Sequence, residues 1–231
     1  VLGIGRDAFS ALNTNPYRPL FNKATTGLYA PASTIKGMVA LAALQDDLMT
    51  PGELVHCTGS TRLGDRTFHC WRREGHGRVD MHEAVKTSCD IYFYEAARRL
   101  GVERWAEVAR RFGFGSLFDI GLEIPSRADG LVPTPQWKRA RRGQPWTTGD
   151  MYNVGIGQGD FLASPVQLAV MAARLATGRM VEPTLLPRAP GHSFDPVGFS
   201  ALHLQRVREA LRAVGHAPGG TSYCTLDAGR G

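Results

Sequence analysis

Three cysteines and one histidine constrain the fold of this 231-residue chain more than any other feature. Their spacing is Cys57-x12-Cys70-x5-His76-x12-Cys89, and three thiolates with one imidazole complete a tetrahedral zinc site. We expect the first two cysteines at the ends of a β-hairpin, and the glycine-flanked loop around His76 can bend back to them. Because short C-x2-C knuckles are absent, a Cys57–Cys70 disulfide or buried thiols with a solvent-facing histidine stay open as alternatives. A fourth cysteine, Cys224, permits three disulfide pairings in all.

The charge of the chain is basic but does not indicate a nucleic-acid partner. The net charge is +6 and the pI about 9.4, and arginine contributes far more of it than lysine. The arginine clusters at 72–73, 110–111 and 139–142 are scattered between apolar residues and have no aromatic platform beside them. This pattern is typical of solvated helix faces, so we expect no binding of nucleic acid.

Hydrophobic periodicity and turn residues predict a chain dominated by helices and loops, with little sheet. The predicted elements are an extended loop over 1–30, a helix over 32–44, two short strands in TPGELVHC and DRTFHC around a turn at Gly64-Asp65, and helices over 81–87, 91–100, 102–111, 165–177 and 201–214. Residues 115–150 are rich in Gly, Pro and Trp and contain few long periodic segments.

A Ser-x-x-Lys motif stands at the start of the first predicted helix, as Ser33-Thr34-Ile35-Lys36. Residues i and i+3 share one helix face, so the ammonium of Lys36 can reach the hydroxyl of Ser33. A lysine whose pKa is lowered by burial can deprotonate a serine and make it a nucleophile. A capping serine followed by a surface lysine is the alternative interpretation of the same four residues.

A second polar motif, Thr87-Ser88-Cys89-Asp90, precedes the helix predicted over 91–100. If residues 88–90 are extended, Ser88 and Asp90 point to one side and Cys89 to the other. The two polar side chains would then line a cleft, while the cysteine reaches backwards to a metal that anchors the loop.

Several stretches together resemble the transpeptidase domain of class B penicillin-binding proteins, and in particular the elongation-type penicillin-binding protein 2 of Gram-negative bacteria. The stretches, in the order of the family, are NPYRPLFNKATTGLYAPASTIK, CWRREGHGRVDMHEAVKTSCDIYFYEAARRLG, DGLVPTPQWK, YNVGIGQGDFLASPVQLAVMAARLATG and APGGTSY. In this family the glycine-rich run at 155–159 is a structural turn, and it lacks the Lys-Ser/Thr ending of a phosphate loop.

The resemblance implies a role for each polar residue of the two motifs. Ser33 would be the acylated nucleophile and Lys36 its base, while Ser88 would relay a proton to the leaving amine. Asp90 would replace the more usual asparagine and orient either Lys36 or the amide of the substrate. Relatives of this type also carry a metal, and the matching positions for a structural zinc are Cys57, Cys70, His76 and Cys89.

The resemblance also implies an α/β (α+β) fold, that of serine β-lactamases and D,D-transpeptidases. Residues 1–231 would be a partial transpeptidase domain, mostly its helical part, without the N-terminal strands and the C-terminal Lys-Thr-Gly strand. Much of the central antiparallel sheet would then lie outside this chain. Because the missing strand supplies an oxyanion-hole donor, we expect the fragment alone to be inactive.

The implied function is that of a peptidoglycan D,D-transpeptidase, an enzyme that cross-links D-Ala-D-Ala stem peptides during cell elongation and is acylated by β-lactams. The implied location is the periplasmic side of the inner membrane, beside a membrane glycosyltransferase of the elongation machinery. A serine β-lactamase or D,D-carboxypeptidase of the same fold is one alternative. A non-catalytic, zinc-stabilised module is another, although such a module would not need a lysine one turn after the serine.

Overall fold

The computed structural model describes residues 3–121, 127–187 and 193–223. Its helices are Arg6–Asn13 (α1), Lys36–Gln45 (α2), Met81–Lys86 (α3), Asp90–Leu100 (α4), Val102–Arg111 (α5), Pro135–Arg142 (α6), Thr148–Gly155 (α7), Pro165–Thr177 (α8) and Ala201–His216 (α9). Its strands are Val55–Cys57 (β1), Ser60–Leu63 (β2), Arg66–His69 (β3) and Gly77–Val79 (β4). No helix within these ranges has the length and apolar character needed to cross a bilayer.

Helix α2 forms the centre of the fold. Its sequence KGMVALAALQ is apolar on every side, and every residue from Lys36 to Leu44 is buried. A helix that is hydrophobic all round must be covered all round, and α3, α4, α5 and α9 pack around α2. A 3₁₀ turn, Ala32–Ile35, leads directly into α2 and carries Ser33 at the protein surface. The predicted helix over 32–44 is therefore confirmed, with its first turn wound more tightly.

The junction between α3 and α4 is a sharp break rather than a loop. The side chain of Asp80 caps α3 by accepting a hydrogen bond from the Glu83 N–H at 2.9 Å. After α3 the chain passes through Ser88, whose φ of 54° is left-handed, and α4 begins at Asp90. Because α4 packs against both α2 and α7, its first turn lies between the central helix and the surface.

The strands form two separate antiparallel pairs, and this differs from the predicted single hairpin. Strand β2 pairs with β3 around the turn at Gly64-Asp65, whereas β1 pairs with β4. The prediction placed the turn correctly but paired TPGELVHC with DRTFHC. That assignment is wrong because β2 lies between the two segments and takes the partner positions opposite β3. Cys57 and Cys70 nevertheless flank the β2–β3 hairpin, as expected.

One further prediction for the chain is corrected. Residues 1–30 do not form one extended loop, since α1 occupies Arg6–Asn13; none of its residues is buried, so helix propensity in RDAFSALN rather than a packed face accounts for it. The region 115–150 contains the short helix α6 and the start of α7. Their N-caps are Thr134 and Thr147, whose side chains accept hydrogen bonds from backbone N–H groups. The helices predicted over 91–100, 102–111, 165–177 and 201–214 are confirmed within two residues.

Helix α8 is attached to the neighbouring loops by one buried glutamine. Gln167 is 1% exposed, and its side-chain oxygen accepts a hydrogen bond from the Ser164 N–H at 2.9 Å, which closes a capping box. Its amide nitrogen donates to the carbonyl oxygens of Ser116 at 3.0 Å and Asp129 at 2.8 Å. A single side chain therefore satisfies three backbone groups that belong to three segments.

We expect Gln167→Leu to destabilise the protein by about 2 to 4 kcal/mol, because it leaves these three backbone groups without partners. Chemical unfolding of the protein measures the change. Gln205→Leu is the matched control, since Gln205 is exposed on α9 and should alter stability by less than about 0.5 kcal/mol. Equal stability of the two variants would contradict a structural role for Gln167.

Candidate active site and thiol cluster

Ser33 lies at the surface end of the 3₁₀ turn, at the bottom of an open cleft. The residue before it, Ala32, has a φ of 51°, a left-handed conformation that costs energy for any residue other than glycine. Such strain concentrates at functional sites, where the surrounding structure holds it in place. Within the described residues, the Ser33 hydroxyl has no hydrogen-bond partner, so it is available to a ligand in the cleft.

The glycine-rich run at the end of α7 contacts the backbone of this strained turn. The N–H of Ala32 donates to the carbonyl oxygen of Gly157 at 2.8 Å. A Cβ atom at position 157 would lie 2.2 Å from the Ala32 carbonyl oxygen, and the φ of Gly157 is +71°. Only glycine permits this approach. The run at 155–159 is thus a structural turn that supports the serine, as the resemblance implied.

Lys36 is buried and joins the first motif to the second. Its ammonium donates to the carbonyl oxygen of Ser88 at 2.8 Å, to the Ser88 Oγ at 3.0 Å and to Asp90 Oδ1 at 2.7 Å. An ammonium has three N–H donors, so all three are directed at the start of α4. No hydrogen bond links Lys36 to the Ser33 hydroxyl in the described part of the chain, although the two residues are one turn apart.

Two opposing effects act on the Lys36 ammonium. Burial lowers its pKa below the usual value, and this desolvation is the largest effect. The carboxylate of Asp90 acts in the opposite direction and favours the charged form, as do the nearby Cys70 and Cys89. The net pKa is lowered, so the uncharged, basic form of Lys36 is more accessible than that of an exposed lysine.

The backbone of residues 88–90 differs from the expected extended conformation, but Ser88 and Asp90 still lie on the side opposite to Cys89. Residues 88–90 are not extended throughout, because Ser88 is left-handed and Asp90 is the first residue of α4. Only Cys89, with φ −70° and ψ 110°, is extended. The left-handed turn still directs Ser88 and Asp90 towards Lys36 and leaves Cys89 on the opposite side. Asp90 also accepts a hydrogen bond at Oδ2 from the Trp71 N–H at 2.8 Å.

The cleft above Ser33 has a volume of about 540 Å³. It is lined by Ser33, His69, Cys70, Trp71, Arg73, Ser88, Asp90, Tyr94, Ile156, Gln158 and Thr221. Sequence reasoning missed Trp71 and Arg73. One signal for these two residues was available in the sequence. They lie in the short loop between the predicted metal ligands Cys70 and His76, and a loop held at both ends by the cluster is directed towards the cleft. Tyr94 fixes the same wall, since its hydroxyl donates to the His69 carbonyl oxygen at 2.9 Å.

The four predicted metal ligands meet in one buried cluster behind this wall. The ligand atoms of Cys57, Cys70, His76 and Cys89 all lie within 4.8 Å of one another. His76 Nδ1 is 3.6 Å from the Cys57 Sγ and 3.5 Å from the Cys70 Sγ. The three cysteines are free and buried, so the Cys57–Cys70 disulfide is not formed in this structure. Cys224 lies outside the described residues.

The spacing of the donor atoms fits a tetrahedral metal. With Zn–S of about 2.3 Å and Zn–N of about 2.0 to 2.1 Å, the S···N edge of a zinc tetrahedron measures about 3.5 to 3.6 Å. Both S···N distances at His76 agree with this edge. The opposite ring nitrogen, Nε2, is buried and has no partner among the described residues. The Trp71 ring, 5.4 Å away between centroids, packs edge-on against the imidazole and limits its rotation.

The thiols also have the charge that a cation requires. The hydrogen bond between Cys70 and Cys89 is the largest effect on the pKa of Cys70 and lowers it, which favours the thiolate form. The same hydrogen bond and burial raise the pKa of Cys89. A thiolate is the form that binds metals. The donor set and its geometry therefore fit a zinc ion.

Comparison with known proteins places the chain in one family. Residues 6–229 match the family described as penicillin binding protein transpeptidase domain. The chain is 39% identical over 194 residues to the peptidoglycan D,D-transpeptidase MrdA of Acinetobacter baumannii, which covers 83% of this chain and 29% of that protein.

Solved structures agree with this assignment. A structure of Pseudomonas aeruginosa PBP2 in complex with WCK 5153 has a TM-score of 0.86 at 35% identity, over 95% of this chain and 50% of that one. A chain from a structure described as the coordination of polymerization and crosslinking by a peptidoglycan synthase complex has a TM-score of 0.78 at 31% identity, over 93% of this chain and 37% of that one.

These similarities confirm the predicted α+β fold class, of which this chain contributes helices and two small antiparallel sheets. The chain spans 29% of one MrdA relative and 38% of another, so it corresponds to about a third of their length. The match over nearly all of residues 6–229 and the identity to MrdA agree with the motifs that meet at the cleft. The chain therefore belongs to the penicillin-binding protein transpeptidase domain family.

Proposed function

We propose that this chain carries the nucleophile region of a peptidoglycan D,D-transpeptidase. The observation that carries the proposal is the set of three hydrogen bonds from buried Lys36 to Ser88 and Asp90, directly beside the exposed Ser33. The substrate would be a stem peptide ending in D-Ala-D-Ala, and penicillins would acylate the same serine. The names of the MrdA relatives support this reaction for the protein to which the chain belongs.

In the first half of the reaction, the Ser33 Oγ attacks the carbonyl carbon between the two D-Ala residues. Lys36, in its uncharged form, takes the hydroxyl proton, because burial lowers its pKa. The C–N bond then breaks, and the terminal D-Ala leaves as an amine that needs one proton. Ser88 donates to that amine and recovers its proton from Lys36, whose Nζ is 3.0 Å from the Ser88 Oγ.

In the second half, an amine of a neighbouring stem peptide attacks the ester carbonyl carbon on Ser33. The same relay runs in reverse: the proton of the attacking amine passes through Ser88 and Lys36 to the departing Ser33 oxygen. Asp90 keeps Lys36 aligned through both halves, since its other carboxylate oxygen is fixed by the Trp71 N–H. The chain contains no Lys-Thr-Gly sequence. We propose that groups outside residues 1–231 supply the remaining oxyanion donor, so the fragment alone is inactive.

We propose a structural zinc at Cys57, Cys70, His76 and Cys89. Bound there, the ion would supply a fixed tetrahedral tether and no chemistry at the scissile bond. Cys70 precedes Trp71, and Cys89 lies between Ser88 and Asp90. Holding these two cysteines together therefore holds the Trp71 N–H against Asp90 and keeps Ser88 next to Lys36. The matching S···N distances support the metal over a disulfide.

A β-lactamase or D,D-carboxypeptidase is less well supported. Both must activate a water molecule to hydrolyse the acyl-enzyme, which calls for a free carboxylate or another base. Among the described residues that line the cleft, Asp90 is the only carboxylate. It is already hydrogen-bonded to Lys36 and to Trp71. A non-catalytic module would not explain why a lysine is buried beside an exposed serine.

We also propose that the protein acts on the periplasmic side of the inner membrane, in a cell-elongation complex that contains a membrane glycosyltransferase. The support is the structural similarity to a chain from a structure described as a peptidoglycan synthase complex that coordinates polymerization and crosslinking. Co-purification of the full-length protein with a glycosyltransferase from bacterial membranes is the corresponding observation.

We expect Ser33→Ala to abolish covalent labelling of the full-length protein by a fluorescent penicillin, because the attacking oxygen is removed. Ser88→Ala is the matched control in the same cleft: it should slow labelling by about 100-fold, through loss of the proton relay, without preventing it. Mass spectrometry of the labelled peptide should locate the adduct at Ser33. Surviving label on the Ser33 variant would assign the nucleophile to another residue.

We expect Asp90→Asn to move the acidic limb of the pH–rate profile for penicillin acylation to lower pH. The base acts when Lys36 is uncharged, so the rate rises with pH through the pKa of Lys36. Asp90 raises that pKa, and its removal leaves burial less opposed. The plateau rate should fall by about 10-fold because Lys36 loses its alignment. Asp46→Asn, which removes the partner of Arg104 just beyond the C-terminal end of α2, should leave the profile unchanged. An acidic limb at higher pH would contradict this assignment.

We expect the full-length protein to contain one zinc, and Cys89→Ser to lose it and to slow penicillin acylation by about 10- to 100-fold. Native mass spectrometry measures the metal, and stopped-flow labelling measures the rate. Cys224→Ser is the matched control, because the resemblance does not place Cys224 among the ligands. A measured mass without zinc, and lower by two hydrogen atoms per bridge, would show that the cysteines form disulfides instead of a metal site. An unchanged acylation rate in the zinc-free variant would show that the metal does not influence the active site.

A further inference from the structure

The loop Trp71–Gly75 is clamped at both ends by the thiol cluster. Cys70 precedes the loop and His76 follows it, and the distance between the Cys70 Sγ and the His76 Nδ1 is 3.5 Å. Five residues therefore leave one point of the cluster and return to it. Such a closed loop can only project outwards, and the cleft lies on that side, because Trp71 and Arg73 line it.

The backbone of this loop has little freedom to move. A Cβ atom at Gly59 would lie 1.9 Å from the Arg73 carbonyl oxygen, and one at Gly75 would lie 2.2 Å from the Cys57 carbonyl oxygen. Both glycines have positive φ, +90° and +82°, so two close backbone contacts pin the loop against the chain after β1. The Gly75 N–H donates to the Arg72 carbonyl oxygen at 3.1 Å and closes the turn. The Arg73 side chain is thus presented from a rigid support.

Arg73 lines the cleft and has no counter-charge among the described residues. Arg73 is exposed, and within the described ranges its side chain has neither a hydrogen bond nor an ion pair. The charges of Lys36 and Asp90, next to the cleft, neutralise each other, since the Lys36 Nζ lies 2.7 Å from the Asp90 Oδ1. Arg73 is therefore the described cation that the cleft offers to a ligand. An arginine binds a carboxylate through two parallel N–H···O bonds.

We propose that Arg73 is a specificity residue that binds a carboxylate of the peptide substrate away from the scissile bond. This inference rests on the proposed function, since it concerns the substrate of the same cleft. The ligand is an anionic peptide, and a side-chain carboxylate of either the acyl donor or the acceptor has the required chemistry. Because the guanidinium is exposed to solvent, we expect the contact to contribute about 10-fold to the specificity constant.

The test uses the full-length protein and two D-Ala-D-Ala peptides that differ only in an internal side chain, which is a free carboxylate or its amide. Acylation is measured as kcat/KM with each peptide as donor, and cross-linking with each peptide as acceptor. The wild-type protein should prefer the acid by about 10-fold in one of the two roles. Arg73→Gln should remove this preference, Arg73→Lys should keep part of it, and the amide should react equally with all variants.

Arg72→Gln is the matched control, because Arg72 is the exposed neighbour in the same loop and does not line the cleft. It should keep the preference for the acid. A preference in the donor assay identifies the donor carboxylate as the ligand, and one in the acceptor assay identifies the acceptor carboxylate. No preference in either assay, or a preference that survives Arg73→Gln, overturns the inference.

Penicillin labelling separates the failure of this inference from the failure of the proposed function. Complete labelling of Arg73→Gln shows that the variant is folded and that its nucleophile works, so that its peptide preference can be interpreted. If the wild-type protein neither reacts with penicillin nor turns over any peptide, the proposed function itself fails. If penicillin labels every variant while acid and amide peptides react equally, only the role of Arg73 fails.

Discussion

The buried ion pair between Lys36 and Asp90 is the interaction on which the site depends. A buried charge is costly unless it is paired and hydrogen-bonded, and here every donor of the ammonium has an acceptor at the start of α4. The pair joins the first residue of α2 to the first residue of α4, so the central helix and the helix packed on it are aligned at their N-terminal ends. The geometry of the site therefore depends directly on the packing of the core.

The thiol cluster extends this alignment to the surface. Its ligands alternate with site residues along the chain: Cys70 is followed by Trp71, and Cys89 stands between Ser88 and Asp90. One carboxylate oxygen of Asp90 binds Lys36, and the other binds the Trp71 backbone. A continuous set of contacts therefore runs from the core to the wall of the cleft. It starts at the Lys36 ammonium, passes through the Asp90 carboxylate to the Trp71 backbone, and ends at the thiol cluster next to Trp71.

Sequence reasoning was most successful where the determinants are local. The helices α4, α5, α8 and α9 follow from periodicity and from nearby caps and stops. The strand pairing failed because register depends on partners far apart along the chain, and α1 was missed because it is only eight residues long and is followed closely by turn residues. The meeting of Lys36 with Ser88 and Asp90 spans more than 50 residues, and only the family resemblance anticipated it. Trp71 was missed because its contact with Asp90 is made by the backbone N–H, which no side-chain pattern reveals; only its place between two predicted metal ligands indicated it.

The loop between Cys70 and His76 has a consequence for how such a cleft can diversify. Its two ends meet at the thiol cluster and its backbone makes close contacts at two glycines, so none of this support depends on the side chain at position 73. That position can change from a cation to an anion, an amide or an aromatic ring without disturbing the nucleophile. A substitution at position 73 therefore changes the chemistry of the cleft wall, while the contacts of Lys36 with Ser88 and Asp90 do not involve that side chain.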